Sequence, residues 1–277
     1  MKTHSRGFAL IELAIVIIVI GLVIGGVIVG RDVMRNAELQ SILVDMDTYK
    51  KAAQTFRNKY KALPGDMANA ESIWGAAASC PPPPSADHTE GYESGGVIVS
   101  LTCNGDGDSF IGGSDGTPQI IGTDYKESIL LWQHLANAQL VKWGYTGAEA
   151  DSPYNNKLEP GFNIPASQVE GTGFTMFFAF PTYGNANFND TKYRHIIVYG
   201  APKPSANANY STHWQGILGN EALLLDMKAD DGRPHTGNVQ TFTNSFDTGG
   251  SARCALAANA GYNTESDACP LIFITGY

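Results

Sequence analysis

A run of 23 residues at positions 8–30 is apolar except for one carboxylate, that of Glu12. At a rise of 1.5 Å per residue, a helix of this length crosses a hydrocarbon layer about 30 Å thick. A secretory signal has a shorter apolar stretch and a small-residue cleavage site, and no A-x-A pattern ends this run. The sequence therefore predicts a membrane-spanning helix over 8–30.

Basic residues indicate how this helix is oriented. Lys2 and Arg6 precede the run, whereas Arg31 and Asp32 follow it together. Positive charge tends to stay on the cytoplasmic side of a membrane. We therefore expect a cytoplasmic N-terminus, with the bulk of the chain outside.

Glu12 is costly in such a helix, because an acidic side chain at the bilayer centre raises the insertion free energy by about 2.5–3.5 kcal/mol. The sequence RGFALIEL around it, at positions 6–13, closely resembles the processing site of class III prepilins. These are the precursors of type IV pilins and of type II secretion pseudopilins. The resemblance implies that a prepilin peptidase cuts between Gly7 and Phe8 and methylates the new Phe8 amine.

The same resemblance implies a role for Glu12 in assembly. As the fifth residue of the mature chain, Glu12 would neutralise the Phe8 amine of its own or of an adjacent subunit within an apolar bundle. A buried ion pair of this kind contributes register more reliably than stability. The alternative is a Glu that snorkels to the membrane interface of a lone anchor.

Beyond the membrane the helical pattern continues without a breaker. Apolar residues recur at spacings of three, four or seven and predict one buried stripe: Leu39, Leu43, Met46, Ala53, Phe56 and Tyr60. The sequence Leu63-Pro64-Gly65-Asp66 ends the pattern, since a residue before proline is disfavoured in the α conformation. The predicted organisation is a leader over 1–7, a helix over 8–61 with an amphipathic half at 31–61, and a globular head over 62–277.

The head is predicted to be α+β. A helix begins with a capping-box-like start at Asp124–Glu127, and a shorter one covers 221–228 and stops near Gly232. The buried stripe of the first is Leu130, Leu131, His134, Leu135, Ala138 and Val141. Strands are predicted at 173–183, 193–200 and 271–277. Because hairpin-connected strands beside a long helix suit an antiparallel sheet, the fold class is a pilin-like α+β.

Three segments of the head, ALPGDMANA, LWQHLANAQLV and LDMKADDG, are similar to recurring segments of large bacterial pilin-like proteins.

Charge and cysteine content agree with an extracytoplasmic head. The formal net charge of −9 leaves no basic stripe for phosphates, so no nucleic-acid partner is expected. Four cysteines in an oxidising compartment form disulfides more readily than metal sites, and no C-x-x-C spacing favours zinc. Of the three pairings, the local ones are predicted: Cys80 with Cys103 and Cys254 with Cys269.

Two acidic clusters are candidate calcium sites. In the first, Asn104, Asp106 and Asp108 offer oxygens at alternate positions and Asp115 follows at the twelfth, as in an EF-hand loop. Ser109, however, stands where an EF-hand has glycine. The second contains Asp226, Asp230 and Asp231 and is similar to the loop that holds calcium in some major pseudopilins. For both, the alternative is a solvated polar turn.

No enzyme signature is complete. The segment GGSDG at 112–116 matches G-x-S-x-G, but Thr117-Pro118 follows where a nucleophile elbow needs a helix.

The expected function is that of a non-enzymatic structural subunit, a minor pilin. Its expected partners are other pilin subunits, a prepilin peptidase, an inner-membrane assembly platform and, before assembly, lipid. The alternatives are a minor pseudopilin, or a filament-tip adhesin that binds through loops 183–189 and 210–214. The expected location is the inner membrane with a periplasmic head, then a surface pilus or periplasmic pseudopilus.

Overall fold

The computed structural model describes residues 10–77, 91–94, 97–112, 126–142, 144–148, 158–179, 194–202, 212–214, 216–241, 254–255, 261–266 and 269–276. Its helices are α1 (Leu10–Tyr60), α2 (Glu71–Trp74), α3 (Lys126–Asn137) and α4 (Gly219–Ala229). Its strands are β1 (Gly91–Ser94), β2 (Val97–Ser100), β3 (Gly173–Ala179), β4 (Arg194–Gly200), β5 (Val239–Gln240) and β6 (Leu271–Ile274). A long N-terminal helix with a small antiparallel sheet confirms the predicted pilin-like α+β class.

Helix α1 runs for 51 residues without proline, which corresponds to about 76 Å at 1.5 Å per residue. Its C-terminal half carries the predicted stripe: Leu39, Ala53 and Phe56 are buried, and Leu43, Met46 and Tyr60 are partly buried against the core. Ile42 is also fully buried, although the predicted stripe omits it. The helix ends as the sequence predicts, because Lys61 turns to a positive φ of 57° two residues before Leu63-Pro64.

The main sheet has the strand order β3-β4-β6-β5, and every neighbouring pair is antiparallel. The two long strands β3 and β4 pair from Gly173 opposite Gly200 to Ala179 opposite Arg194. Along these strands, side chains alternate between two apolar clusters, as the pleat requires. Phe174 and Tyr199 belong to the large core that includes the stripe of α1, whereas Phe177 and Val198 belong to a smaller cluster. Both faces are thus covered.

Several element boundaries differ from the predictions. Strand β6 ends at Ile274, so its predicted extension through Thr275 and Gly276 is wrong. Helix α3 ends at Asn137, so Ala138 and Val141 of its predicted stripe follow the helix. Helix α4 begins at Gly219, two residues early. Sequence reasoning missed α2, the β1–β2 hairpin and β5, because each has only two to four residues and shows no measurable periodicity.

Candidate functional site

The N-terminal half of α1 exposes its side chains to the surroundings. Leu10 is 89% exposed and Leu22 is 73% exposed, and no side chain in the apolar window of this helix is buried against the described residues. By length and composition α1 can cross a membrane. Glu12 lies in its first turn and is also exposed. The predicted cleavage residues Gly7 and Phe8 lie outside the described residues.

An ion pair ties the middle of α1 to the head. The Arg35 guanidinium donates two hydrogen bonds to the Glu221 carboxylate, from Nε to Oε1 and from Nη2 to Oε2, each 2.7 Å long. The Leu218 amide donates a further bond of 2.9 Å to Oε2. Burial acts to raise the pKa of Glu221, but the bonds from Arg35 and Leu218 outweigh it and lower this pKa. Arg35 therefore fixes the start of α4 against the helix.

A disulfide cross-links the C-terminal part of the head. A disulfide joins Cys254 to Cys269 as predicted, and it closes a loop with a sequence separation of 15. Cys269 also exchanges backbone hydrogen bonds with Ile217, just before α4. Cys103 is disulfide-bonded as well, and its predicted partner Cys80 lies outside the described residues.

Four carboxylates converge where α1 ends. They come from three segments: Asp66 from the turn after α1, Asp106 and Asp108 from the loop of residues 103–112, and Glu127 from the first turn of α3. One oxygen of each lies within 4.8 Å of one oxygen of every other. Asp66 and Glu127 are only 3% and 4% exposed, whereas Asp106 is open to solvent. We call these four residues the junction cluster.

Hydrogen bonds from the loop hold the two buried members in place. Glu127 accepts the Asp106 amide on Oε1 at 3.1 Å and the Gly112 amide on Oε2 at 2.9 Å. Asp66 accepts the Ser109 amide on Oδ2 at 3.1 Å. Glu127, predicted as part of a capping box, thus directs both oxygens to the loop. The loop is fastened to two other segments through their carboxylates.

Two glycines allow the backbones of the three segments to approach closely. A Cβ on Gly105 would collide with the Gly65 carbonyl oxygen, and a Cβ on Gly65 would collide with the Glu127 carbonyl oxygen. Gly65 also has a φ of +89°, which disfavours other residues. Backbones stacked this closely bring the carboxylates of Asp66, Asp106 and Glu127 together.

His134 of α3 stabilises the same junction through two hydrogen bonds. Its Nδ1 accepts the Gly65 amide at 2.9 Å, so its Nε2 carries the proton and donates to the Cys103 carbonyl at 3.2 Å. Burial lowers the pKa of His134 to about 4, although the Cys103 carbonyl opposes this. The residue is the satisfied core histidine that its place on an apolar helix face predicts.

Burial also perturbs the two buried carboxyls of the junction cluster. Burial, together with the Asp108 charge and against the lowering effect of the Ser109 and Gly107 amides, raises the pKa of Asp66 to about 7. It raises the pKa of Glu127 to about 8 against the lowering effect of the Gly112 and Asp106 amides. Burial and the neighbouring carboxylates therefore destabilise the ionised forms of Asp66 and Glu127.

The predicted EF-hand-like ligand set differs from this arrangement. Asn104 Oδ1 accepts the Glu71 amide at 2.9 Å and so caps the start of α2. Asp115 lies outside the described residues. The sequence does not predict Asp66 and Glu127 as ligands, because it indicates only a helix stop at the turn and only a cap at the glutamate. A carboxylate directly after a Pro-Gly turn was the one available signal for Asp66.

The second predicted cluster supports a loop through internal hydrogen bonds. Asp226 is fully buried and accepts the Tyr262 hydroxyl at 2.9 Å. Asp230 accepts the Val239 amide at 3.1 Å, and Asp231 accepts the Arg233 amide at 2.9 Å. Burial raises the pKa of Asp226 to about 6 despite the bond from Tyr262. Hydrogen bonds from Tyr262 and from loop 230–239 account for all three side chains, and calcium at this cluster stays a prediction.

Most residues of the loops expected for an adhesin lie outside the described residues, as do residues 113–116 of GGSDG. Residues 212–214 are described, and Thr212 and His213 are buried there rather than displayed on a surface. For the described residues 212–214, this geometry offers no support for ligand binding.

No family model, curated protein or solved structure matches the chain.

Proposed function

We propose that the chain is a structural subunit of a type IV pilus or related pilin-like filament, inserted through α1 after its leader is removed. The observation that carries this proposal is the division of α1 into two halves. The apolar N-terminal half, residues 10–30, has only exposed side chains, and we call it the bare half; the C-terminal half packs on the head. The division agrees with the predicted apolar run at 8–30 and the predicted amphipathic half at 31–61.

The bare half needs apolar partners outside its own head. Exposed apolar surface costs roughly 25 cal/mol per Å² in water, so a helix half with no buried side chain does not remain solvated. Lipid covers such a surface before assembly. In a filament, the equivalent helices of neighbouring subunits cover it instead, and Glu12 meets a Phe8 amine there.

The size of the head favours a minor subunit. It covers residues 62–277, which is larger than expected for a typical major pilin. A minor pseudopilin of a type II secretion system would have the same layout, and the proteins that it contacts distinguish the two. The retained Glu12 supports a position within the shaft for either machine.

The test of this proposal is the N-terminus of the protein recovered from membranes and from sheared filaments. Intact mass should give a chain that begins at methylated Phe8, and Gly7→Val should leave the precursor full-length because the larger side chain blocks the scissile bond. Gly21→Val is the matched control, since an added Cβ there meets nothing within 4 Å, and it should be processed normally. Filament subunits that retain Met1 would contradict the proposal.

A further inference from the structure

We propose that Asp66, Asp106, Asp108 and Glu127 bind one calcium ion, which fastens the turn after α1, the loop of residues 103–112 and the start of α3 to one another. This inference does not depend on the filament proposal, because it concerns only the folded head. It differs from the EF-hand-like prediction in its ligands and in its position, which is the junction of three segments rather than one loop.

The spacing of the cluster fits a single ion. Calcium takes oxygen ligands at 2.3–2.6 Å, so two ligands on opposite sides of it are about 4.6–5.2 Å apart. One oxygen from each residue of the junction cluster lies within 4.8 Å of the chosen oxygens of the other three. Four carboxylate oxygens can therefore surround one calcium ion with little rearrangement.

An unsatisfied buried oxygen points independently to a ligand. Asp66 is 3% exposed, and in the described part of the chain its Oδ1 accepts no hydrogen bond. A buried acceptor without a partner costs about 1–3 kcal/mol, and a charged one costs more. A water molecule would supply a donor but no positive charge, whereas a cation would satisfy Oδ1 and offset the repulsion from Asp106 and Asp108.

Ion pairing does not account for the charges of the buried pair in the described part of the chain. Among the described residues, neither Asp66 nor Glu127 forms an ion pair with a lysine or an arginine. Buried carboxylates that remain ionised are normally paired or bound to a metal, so a bound cation would stabilise the ionised form of this pair.

The donor set selects calcium over other divalent ions. The four side chains offer only carboxylate oxygens, and zinc sites in proteins usually include histidine or cysteine. Magnesium keeps most of its waters and is usually held by one or two carboxylates. Calcium accepts six to eight oxygens in flexible geometry, so water at the open Asp106 side completes its shell.

The experiment uses the full-length protein in detergent, with and without calcium. Calorimetric titration of EDTA-stripped protein should show one calcium bound per chain. Thermal unfolding should occur about 5–10 °C higher at a calcium concentration 100 times the dissociation constant than in EDTA. Magnesium at the same concentration should give a smaller shift.

The double variant Asp106→Asn/Asp108→Asn tests the site without disturbing the loop. Each asparagine retains an Oδ1 that accepts the amide two residues ahead, as Asp106 does for Asp108 and Asp108 for Phe110. Only two charges are lost. Calcium binding and the calcium-dependent shift should both disappear, and in EDTA the variant should unfold no lower than the wild type because repulsion has fallen.

Asp231→Asn is the matched control, because it removes one carboxylate charge from the second cluster. It should bind calcium and shift like the wild type. Absence of calcium binding to the wild-type protein would overturn the proposal, as would calcium binding that persists unchanged in the double variant. Loss of binding in Asp231→Asn alone would place the ion at the second cluster and would equally overturn it.

Discussion

The two halves of α1 form one continuous helix, but they depend on different partners. From Leu10 to Gly30 no side chain is buried, whereas from Leu39 to Phe56 a stripe of side chains is buried against the head. Stability of an isolated helix depends on propensity, but a helix in a protein is stabilised mainly by what packs on it. The comparison teaches that the head's stability depends on the packed half, whereas the bare half is the one that associates with other subunits in the proposed filament.

The largest effect should come from the packed half. Phe56 is fully buried, with its ring centroid 4.5 Å from that of Tyr60 and 6.1 Å from that of Trp74. Phe56→Ala should lower the free energy of unfolding of the head by about 3–5 kcal/mol, because it leaves a cavity. Urea unfolding of the full-length protein in detergent, followed by tryptophan fluorescence, measures this.

A change of similar kind in the bare half provides the control. Ile18 is 62% exposed, so Ile18→Ala should change the same free energy of unfolding by less than about 0.5 kcal/mol. Comparable losses from Phe56→Ala and Ile18→Ala would abolish the distinction between the halves.

A smaller effect is expected at the boundary between the halves, where Arg35 pairs with Glu221. Arg35 is partly exposed, so solvent screens the pair, and Arg35→Met should cost roughly 1 kcal/mol at pH 7. The pKa of Glu221 is lowered in the folded protein. A lowered pKa contributes stability above the unfolded pKa of Glu, about 4.3, and loses it as the pH falls through the folded pKa.

The difference in stability between the wild type and Arg35→Met should therefore be constant from pH 7 to about pH 5 and should shrink below pH 4. Urea unfolding at a series of pH values measures it. If the difference instead grew on acidification, the bond from Arg35 would not be what lowers the pKa of Glu221.

The smallest effect on the head is expected from Glu12. Glu12 is exposed in the first turn of α1, and Glu12→Val removes a charge that is costly in lipid, so unfolding of the head should not change. Filament incorporation, measured by quantifying the subunit in sheared filaments, should fall because a Phe8 amine loses its partner. Glu12→Asp, which keeps the charge, is the matched control and should retain part of the incorporation. Normal incorporation of correctly processed Glu12→Val would refute the pairing.

Long elements could be predicted because their patterns repeat. The stripe from Leu39 to Tyr60 spans six turns of helix, and one unassigned member, Ile42, did not obscure it. The β3 and β4 strands appear as runs of aromatic and β-branched residues. Strand β5 has two residues, and only its pairing with β6 makes it a strand, so no local pattern could reveal it.

The junction cluster could be predicted only in part, for a related reason. Asp106 and Asp108 stand at alternate positions in one loop, so their proximity is local. Asp66 and Glu127 approach them from 40 residues before and 21 residues after Asp106. Their approach depends on Gly65 and Gly105 and on the tertiary hydrogen bonds of His134, which spacing along the chain does not encode.

The continuity of α1 also sets a rotational relation between assembly and the head. Glu12 and Arg35 are 23 positions apart on a helix that turns about 100° per residue, so they point in directions about 140° apart around its axis. Removing a single residue between them would turn the head by about 100° relative to Glu12 while shortening the helix by only 1.5 Å. In the proposed filament, the number of residues in the bare half would thus determine which side of the head faces outward.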